Sequence, residues 1–420
     1  MNENAKPILV IGGGIAGLTS AIEAAEAGCN VVLIEKTPYL GGRVSQMFRY
    51  FPKLCPPTCG LEINFKRIKN NPRIQVFTQA ELEKLSGSPG DYEATIRISP
   101  RFVNEKCTLC DACAQACPSE RSDDYNYGLS KTKAAYVSHK MAFPAMYTID
   151  RAACKEDCSA CAEACIYGAV DLDQKVEQKT VRVSAVIAAT GWNPYDASKI
   201  DNLGFGQCKN VVTNVILERM AALDGPTGGK ILRPSDGKEP KSVAFVQCAG
   251  SRDDNYLPYC SAVCCAASMK HATYVRTLYP DANITIFYID IRVPGRLEEF
   301  FSKVTDDERI VLNKGKVAKV EEDPESGDLL LTAEDILGGS KSVHRFDLMV
   351  LATGIVPQTE GLPSGFTLDE FNFIGNGSEK PGLIGAGCVR RPGEVSSTLQ
   401  DATGAALKAY QCAMRSARHG

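Results

Sequence analysis

No run of about 18 apolar residues occurs in this 420-residue chain, so nothing in it has the length a membrane-spanning helix needs. Histidine is scarce, with four residues, which disfavours haem ligation by this chain. No Ser/His/Asp or paired-carboxylate device stands out, so acid–base catalysis on an organic substrate is not expected. An excess of one charge is also missing. Lys and Arg number 47 against 50 Asp and Glu, a net charge of −3, which gives no reason to expect a nucleic-acid partner. Met1 to Pro7 is polar and runs straight into an apolar strand, without the charged and apolar regions of a secretory signal. The chain is therefore expected to be cytoplasmic, where thiols stay reduced.

Hydrophobic content of 44% and charged content of 23% are those of an ordinary globular protein and exclude disorder, collagen and coiled coil for the whole chain. The length suggests two or three domains. Cysteine is what the chain has in excess. Eighteen residues are too few for a small disulfide scaffold and too many for a typical cytosolic enzyme. Reduced, clustered cysteines point to metal.

Ile8–Ile11 reads as a strand, Gly12-Gly13-Gly14-Ile15-Ala16-Gly17 as a G-x-G-x-x-G turn into a helix ending near Gly28, and Val31–Ile34 as a second strand closed by Glu35. In such a unit the first glycine makes the turn, the second admits a pyrophosphate and the third allows close helix–strand packing. The helix N-terminus supplies free N–H groups and positive potential. An acid at Glu35 suits an unphosphorylated adenosine ribose, hence FAD or NAD rather than NADP. Gly41-Gly42-Arg43 and the strand ends Ala189-Thr190-Gly191 and Ala352-Thr353-Gly354 resemble two-dinucleotide-binding-domain flavoproteins and favour FAD. Gly382–Gly387 and the helix after it resemble the segment that closes over the flavin in those proteins. They usually carry Asp where Cys388 stands here, and a buried small side chain is the other reading of Cys388. The candidate FAD contacts are Gly12, Gly14, Ile15, Ala16, Gly17, Glu35, Lys36, Gly42, Arg43, Thr190, Gly191, Gly387, Cys388 and Ser397. Arg43 is assigned near the pyrophosphate or isoalloxazine. The helix starting near Ser397 is expected to point its positive end at the flavin.

Cys107-x2-Cys110-x2-Cys113-x3-Cys117-Pro118 is the bacterial ferredoxin run, and Cys154-x3-Cys158-x2-Cys161-x3-Cys165 is its partner. The rule for that run assigns Cys107, Cys110, Cys113 and Cys165 to one [4Fe–4S] cluster. Cys154, Cys158, Cys161 and Cys117 take the other. The second run has one extra residue, and Ile166 replaces the usual proline. Zinc and free thiols are the alternatives.

Val243–Gln247 opens a second α/β unit, but no glycine fingerprint follows. Cys248, Cys260, Cys264 and Cys265 stand there instead. Their spacing allows either a further cluster or a redox or structural thiol group, and the missing glycines argue against pyridine nucleotide at that site. Cys55-x3-Cys59 lies in a Pro-rich loop and reads as a redox pair, a loop staple or plain thiols.

The expected fold is α/β: a Rossmann-like FAD domain and a second Rossmann-like domain, with an inserted ferredoxin-like α+β domain. The expected boundaries are 1–100 and 176–235 for the FAD domain and linker, 101–175 for the insert, 236–356 for the second Rossmann-like domain and 357–420 for a C-terminal FAD segment. Ile74–Phe77 and Thr95–Ile98 suggest a hairpin or meander, and Val181–Ala189 a single strand.

Together, the glycine fingerprint, the inserted ferredoxin run and Cys248…Cys260-x3-Cys264-Cys265 resemble the A subunit of heterodisulfide reductase. Tyr288-Ile289-Asp290-Ile291-Arg292 and Gly385-Ala386-Gly387-Cys388 add to the likeness. The resemblance implies a third [4Fe–4S] cluster at Cys248, Cys260, Cys264 and Cys265. That protein usually carries further iron–sulfur segments at both ends. A compact relative belongs to the quinone-interacting membrane-bound oxidoreductase (Qmo) complex of sulfate-reducing bacteria. The likeness to it implies three partners: a second flavin and iron–sulfur subunit, a haem-containing membrane subunit and adenylylsulfate reductase. It places the chain peripheral to the inner membrane through those subunits, with electrons running between the menaquinone pool and adenylylsulfate reductase. The rival expectations are an electron-bifurcating heterodisulfide-reductase subunit, an NAD(P)H-dependent flavin dehydrogenase and a non-redox assembly scaffold.

Overall fold

The computed structural model describes residues 6–335, 338–375 and 381–419. Strands β1 (Ile8–Ile11) and β2 (Val31–Glu35) flank helix α1 (Ile15–Glu26). They belong to a five-stranded parallel sheet ordered Leu383–Gly385, Ala185–Ala188, β1, β2, β3 (Ile74–Thr78). Its central strands are continuous apolar runs because both faces are covered. On one face lie α1, the helix Thr58–Asn70 and the C-terminal helix Val395–His419. Small residues let the first and last of these approach closely: Ala21, Ala24 and Ala25 meet Ala402, Ala405 and Ala409. On the other face a three-stranded antiparallel sheet buries Tyr92, Ala94, Ile96 and Val183 against Leu9, Val32 and Ile34. That sheet consists of β4 (Ala80–Ser88), β5 (Asp91–Ile98) and Glu177–Val183.

Two local expectations change. Ile74–Thr78 is the parallel edge strand beside β2, not part of the hairpin. It is half-buried apart from Gln75: Ile74 and Val76 face the helix layer and Phe77 the antiparallel sheet. Val181–Ala189 is two strands rather than one. The chain turns at Ser184, whose N–H bonds the Pro7 carbonyl at 2.8 Å, and the halves serve different sheets.

Ile98 faces Glu177 across the antiparallel pair. The cysteine-rich segment therefore leaves and returns at neighbouring points, a geometry in which an insertion strains neither strand. It has its own small core of Val103, Cys113, Cys117, Ala134, Tyr147, Ile149, Cys161 and Ala169.

A second sheet of seven strands runs Val211–Thr213, Leu348–Thr353, Ser242–Ala249, Asn283–Tyr288, Ile310–Glu322, Leu329–Asp335, Lys341–Phe346. The first five are parallel and the last two form an antiparallel meander. The helices Asn214–Ala221 and Cys264–Leu278 pack on one face of it.

Candidate flavin cavity and cysteine sites

The three fingerprint glycines have three different steric reasons. Gly12 has φ +105°, and a Cβ there would lie 2.4 Å from the Ala189 carbonyl oxygen. A Cβ at Gly17 would lie 1.8 Å from the Gly12 carbonyl oxygen. At Gly14 it would meet only the Gly42 Cα, at 3.8 Å. The first two are demanded by the protein itself, while the third keeps open the side that faces the cavity. Glu35 ties this turn to β2. Its Oε2 accepts from the Gly13 N–H at 2.5 Å and its Oε1 from the Thr37 N–H at 2.7 Å. Burial pushes the Glu35 carboxyl up, against the pull of those N–H groups.

A cavity of about 780 Å³ starts at Gly12, Gly14, Ile15 and Ala16, with Glu35 and Lys36, and continues past Gly42, Arg43, Thr190, Gly191 and Cys388. Its walls come from all three parts of the molecule: the insert supplies Tyr125 and Tyr127, and the second sheet's helices supply Glu218, Lys270 and His271. The open face at Gly14 and this elongated, partly apolar space fit a dinucleotide cofactor. Gly17, Gly387 and Ser397 do not line the cavity. Gly17 is spent on packing, Gly387 donates its N–H to Asp401 Oδ2 at 2.7 Å, and Thr398 takes the cavity-facing place expected for Ser397. The Ser396 and Ser397 N–H groups both donate to the Glu394 carboxylate at 2.7 Å. That end of the C-terminal helix is capped by an anion of its own. Cys388 is buried, with Sγ 3.5 Å from the Gly393 carbonyl oxygen and 3.8 Å from Thr398 Oγ1.

Arg43 lies in the cavity wall with its guanidinium held in place. It donates to Asn193 Oδ1 at 2.7 Å, Tyr127 Oη at 3.1 Å and Gln46 Oε1 at 3.2 Å. It also lies 5.7 Å from the ring centroids of both Tyr127 and Trp192.

One polar group escaped the sequence reading. Glu218, on helix Asn214–Ala221, meets Lys270 and His271, on helix Cys264–Leu278, at the cavity wall. Lys270 Nζ lies 2.5 Å and His271 Nε2 2.6 Å from Glu218 Oε1. All three are buried, and Lys270 also donates to the Arg49 carbonyl at 2.7 Å. Burial alone would raise the Glu218 carboxyl, but Lys270 and His271 bring it down to about 2. Burial lowers His271, which Glu218 only partly opposes. Its Nδ1 is buried without a hydrogen-bond partner. No local spacing links residues 52 and 53 positions apart; the available signal was a charged pair, Lys270-His271, in a stretch otherwise made of small and apolar residues.

In the insert, Cys113, Cys117 and Cys161 are buried in its core, with Cys107, Cys154 and Cys165 packed against it. Cys158 is half-buried and Cys110 exposed. Burial raises the Cys154 thiol, and nearby Cys117 and Cys158 add to that. Burial raises Cys161 too, with Cys154 and Cys117 beside it. Burial pushes Cys113 up to about 12, with Cys107 among its neighbours. Cys117 thus has second-run cysteines beside it, and Cys113 has Cys161 as well as Cys107 beside it. Burial works against Cys165, yet the backbone N–H groups around Ala169 hold its thiol below the usual value, the Ala169 N–H lying 3.3 Å from Sγ. Such enclosure, with N–H donors aimed at sulfur, fits a thiolate-ligated cluster. Among the described residues no group of three or more His, Cys, Asp or Glu is placed to hold a single metal ion.

Cys248, Cys260, Cys264 and Cys265 line one small cavity with Ser251, Arg252, Asp290 and Arg292. Cys248 and Ala262 adopt φ of +55° and +60°, and these left-handed turns fold the loop back on the helix start. Both members of the adjacent pair reach the cavity. Ala262 and Arg292 border this cavity and the large one alike, so the third cysteine set abuts the flavin cavity. Cys55 and Cys59 flank Tyr50, which lines the large cavity, but neither cysteine does. Cys29 and Cys208 are buried in the cores of the two sheets, and Cys412 is half-buried.

Fold and site define an FAD-dependent oxidoreductase of the two-dinucleotide-binding-domain class, carrying a cysteine-rich insert. The family model for FAD-dependent oxidoreductases matches residues 7–70. Thioredoxin reductases of T. acidophilum and Lactococcus lactis share the fold. They cover 97% and 98% of this chain, over 98% and 99% of their own, each with a TM-score of 0.55, at 15% and 13% identity. More specifically, the chain is homologous to the A subunits of heterodisulfide reductases. It is 37% identical to that of the H2:CoB-CoM heterodisulfide,ferredoxin reductase of Methanothermobacter marburgensis, over 96% of this chain and 63% of that one. It is 38% identical to that of the ferredoxin/F420H2-dependent CoB-CoM heterodisulfide reductase of Methanosarcina acetivorans, over 96% and 53%. The chain thus spans less than two thirds of the length of these relatives. No helix among the described residues is long and apolar enough to cross a membrane.

Proposed function

We propose that the chain is the FAD- and iron–sulfur-bearing electron-transfer subunit of a multi-subunit oxidoreductase, peripheral to the inner membrane in the manner of the Qmo complex. In this reading it works between the menaquinone pool and adenylylsulfate reductase, beside a second flavin and iron–sulfur subunit and a haem-containing membrane subunit. One observation carries the electron-junction reading: a single cavity is walled by the glycine fingerprint, by the insert and by the helix that starts at the third cysteine set.

FAD supplies the chemistry of accepting two electrons together and releasing them singly. Gly12, Gly14 and Glu35 hold its adenosine half, and Gly17 lets α1 approach the turn. Cys107, Cys110, Cys113 and Cys165 are assigned to one [4Fe–4S] cluster and Cys117, Cys154, Cys158 and Cys161 to a second. Cys248, Cys260, Cys264 and Cys265 are assigned to a third, with Arg252 and Arg292 offsetting thiolate charge. Lys270 Nζ and His271 Nε2 both meet Glu218 Oε1 in the cavity wall, and His271 Nδ1 has no hydrogen-bond partner.

Anaerobic purification of the native complex, with partner identification and flavin, iron and sulfide counts, tests the reading. A haem membrane subunit should copurify, with about twelve irons per chain. Fewer than about eight irons would sink the two-cluster insert. The kinship with heterodisulfide reductases favours a second reading, an electron-bifurcating subunit; copurified hydrogenase or formate dehydrogenase would select it.

A further inference from the structure

One end of the insert exposes a group of large apolar side chains. Ile166 is 84%, Tyr167 47% and Leu109 40% exposed. Leu109 precedes Cys110, and Ile166 with Tyr167 follows Cys165. The stretch that leads into the first loop is tied to the one that follows Cys165: the Asn104 N–H bonds the Ala169 carbonyl at 2.8 Å, and its side-chain amide bonds the Gly168 carbonyl at 3.3 Å. Val103 and Val170 pair beside them. Cys110 is also exposed, so this end brings a proposed cluster ligand to the surface. The flanking segments are acidic. Glu105, Asp111, Glu163, Asp171 and Asp173 are exposed, against two exposed bases, Lys106 and Lys175. An apolar centre with a rim of one charge is the anatomy of a transient protein–protein contact, and the rim selects a partner of opposite charge.

Building on the two-cluster reading above, we propose that the Leu109–Ile166–Tyr167 end of the insert docks a redox protein. That protein presents an apolar centre ringed by Lys and Arg, with a haem or iron–sulfur acceptor behind it. One electron leaves the cluster ligated by Cys107, Cys110, Cys113 and Cys165, and one enters the partner's centre. No bond is made or broken and no proton moves.

The test uses the full chain with its cofactors, reduced by dithionite and freed of excess reductant, with cytochrome c as the probe: a basic one-electron acceptor with an apolar centre. Its reduction should slow steeply as salt rises. The double variant Asp171→Lys/Asp173→Lys, on the rim and outside the ligand loops, should slow it ~tenfold at low salt, as should Leu109→Ser/Ile166→Ser. Ferricyanide, small and anionic, should still oxidise all three forms, with iron and sulfide unchanged. Equal cytochrome c rates in the three forms, or no salt dependence, would overturn the docking proposal. So would a concentration-dependent dimer of the native chain that both variants abolish, because a second copy would then own the patch. A wild-type chain with fewer than about eight irons would instead defeat the cluster reading on which the proposal rests.

Discussion

At the scale of single residues, the glycine turn separates folding from binding. Gly17→Ala places a Cβ 1.8 Å from the Gly12 carbonyl oxygen, so α1 must move away from the turn. A loss of about 3 kcal/mol or more is expected, within the range of severe core lesions. Gly14→Ala meets only the Gly42 Cα at 3.8 Å, so the apoprotein should melt within a few degrees of wild type. Its FAD affinity should fall at least ~tenfold, because the methyl group enters the space left for the pyrophosphate. Thermal melts of apoprotein and flavin titrations read the two effects apart; equal melts for both variants would refute the division. The Glu218–Lys270–His271 group gives a second prediction. Lys270→Met leaves a buried carboxylate short of its main counter-charge, at a cost of about 3 kcal/mol at neutral pH. In wild type the Glu218 pKa lies at about 2, below its ordinary 4.5. Its stabilising contribution is therefore present above pH 4.5 and lost as pH falls toward 2. The variant's deficit should accordingly be largest at neutral pH and shrink below pH 4.5. Denaturation at pH 7 and pH 4 checks the sign, and a deficit that grew with acid would contradict it.

Elements with a strong local rule were legible in the sequence. The β1–α1–β2 unit follows from the glycine spacing and the apolar runs, and the two cysteine runs carry their own ligand rule. Elements whose identity depends on what covers them were not. Ile74–Thr78 reads as a hairpin strand in isolation and becomes a parallel edge strand only by pairing with β2, and Val181–Ala189 hides a change of sheet at Ser184, which depends on Pro7 far away in sequence. Glu218 and His271 meet only because two helices lie side by side on one sheet face. The adjacent Cys264-Cys265 pair is a third such element. Sequence spacing leaves open whether both reach one site, whereas the left-handed residues Cys248 and Ala262 curl the loop over the helix start, and both cysteines line the cavity. Cys265→Ser should therefore lower iron by about four per chain and leave the insert's clusters in place. Cys388→Ser, in the flavin cavity wall, should leave iron unchanged and shift the flavin spectrum. Unchanged iron in Cys265→Ser would remove the third cluster.

Across the whole molecule, the insert and the two sheet domains are locked at one buried cation. Arg219 is 1% exposed. Its Nε donates to Asn126 Oδ1 in the insert at 2.8 Å, its Nη1 to the Gln46 carbonyl beside the flavin turn at 3.2 Å, and its Nη2 to Asp224 at 3.3 Å. The guanidinium lies 4.7 Å from the Tyr125 ring centroid. Behind that ring, Tyr125 stacks on His139 at 4.7 Å, and Tyr39 meets both edge-on. Arg219→Met keeps much of the volume and removes every polar tie, so the loss, about 3 kcal/mol, should fall on docking rather than on each core. Hydrogen exchange should then speed up in residues 120–147 while β1, β2 and Ser242–Ala249 keep their protection. A uniform loss of protection would show that Arg219 stabilises the whole fold instead. Acid should loosen the same joint. Burial lowers His139 to about 4 from 6.5, and its Nε2 has no partner. The unfolded state therefore binds this proton first as pH falls. The stability His139 contributes is intact above pH 6.5 and declines toward pH 4, by roughly 3 kcal/mol. His139→Phe preserves a ring against Tyr125 and cannot take the proton. It should flatten the acid decline between pH 6.5 and pH 4 and restore slow exchange in residues 120–147 at pH 5, whereas an unchanged decline would place the sensitive proton elsewhere.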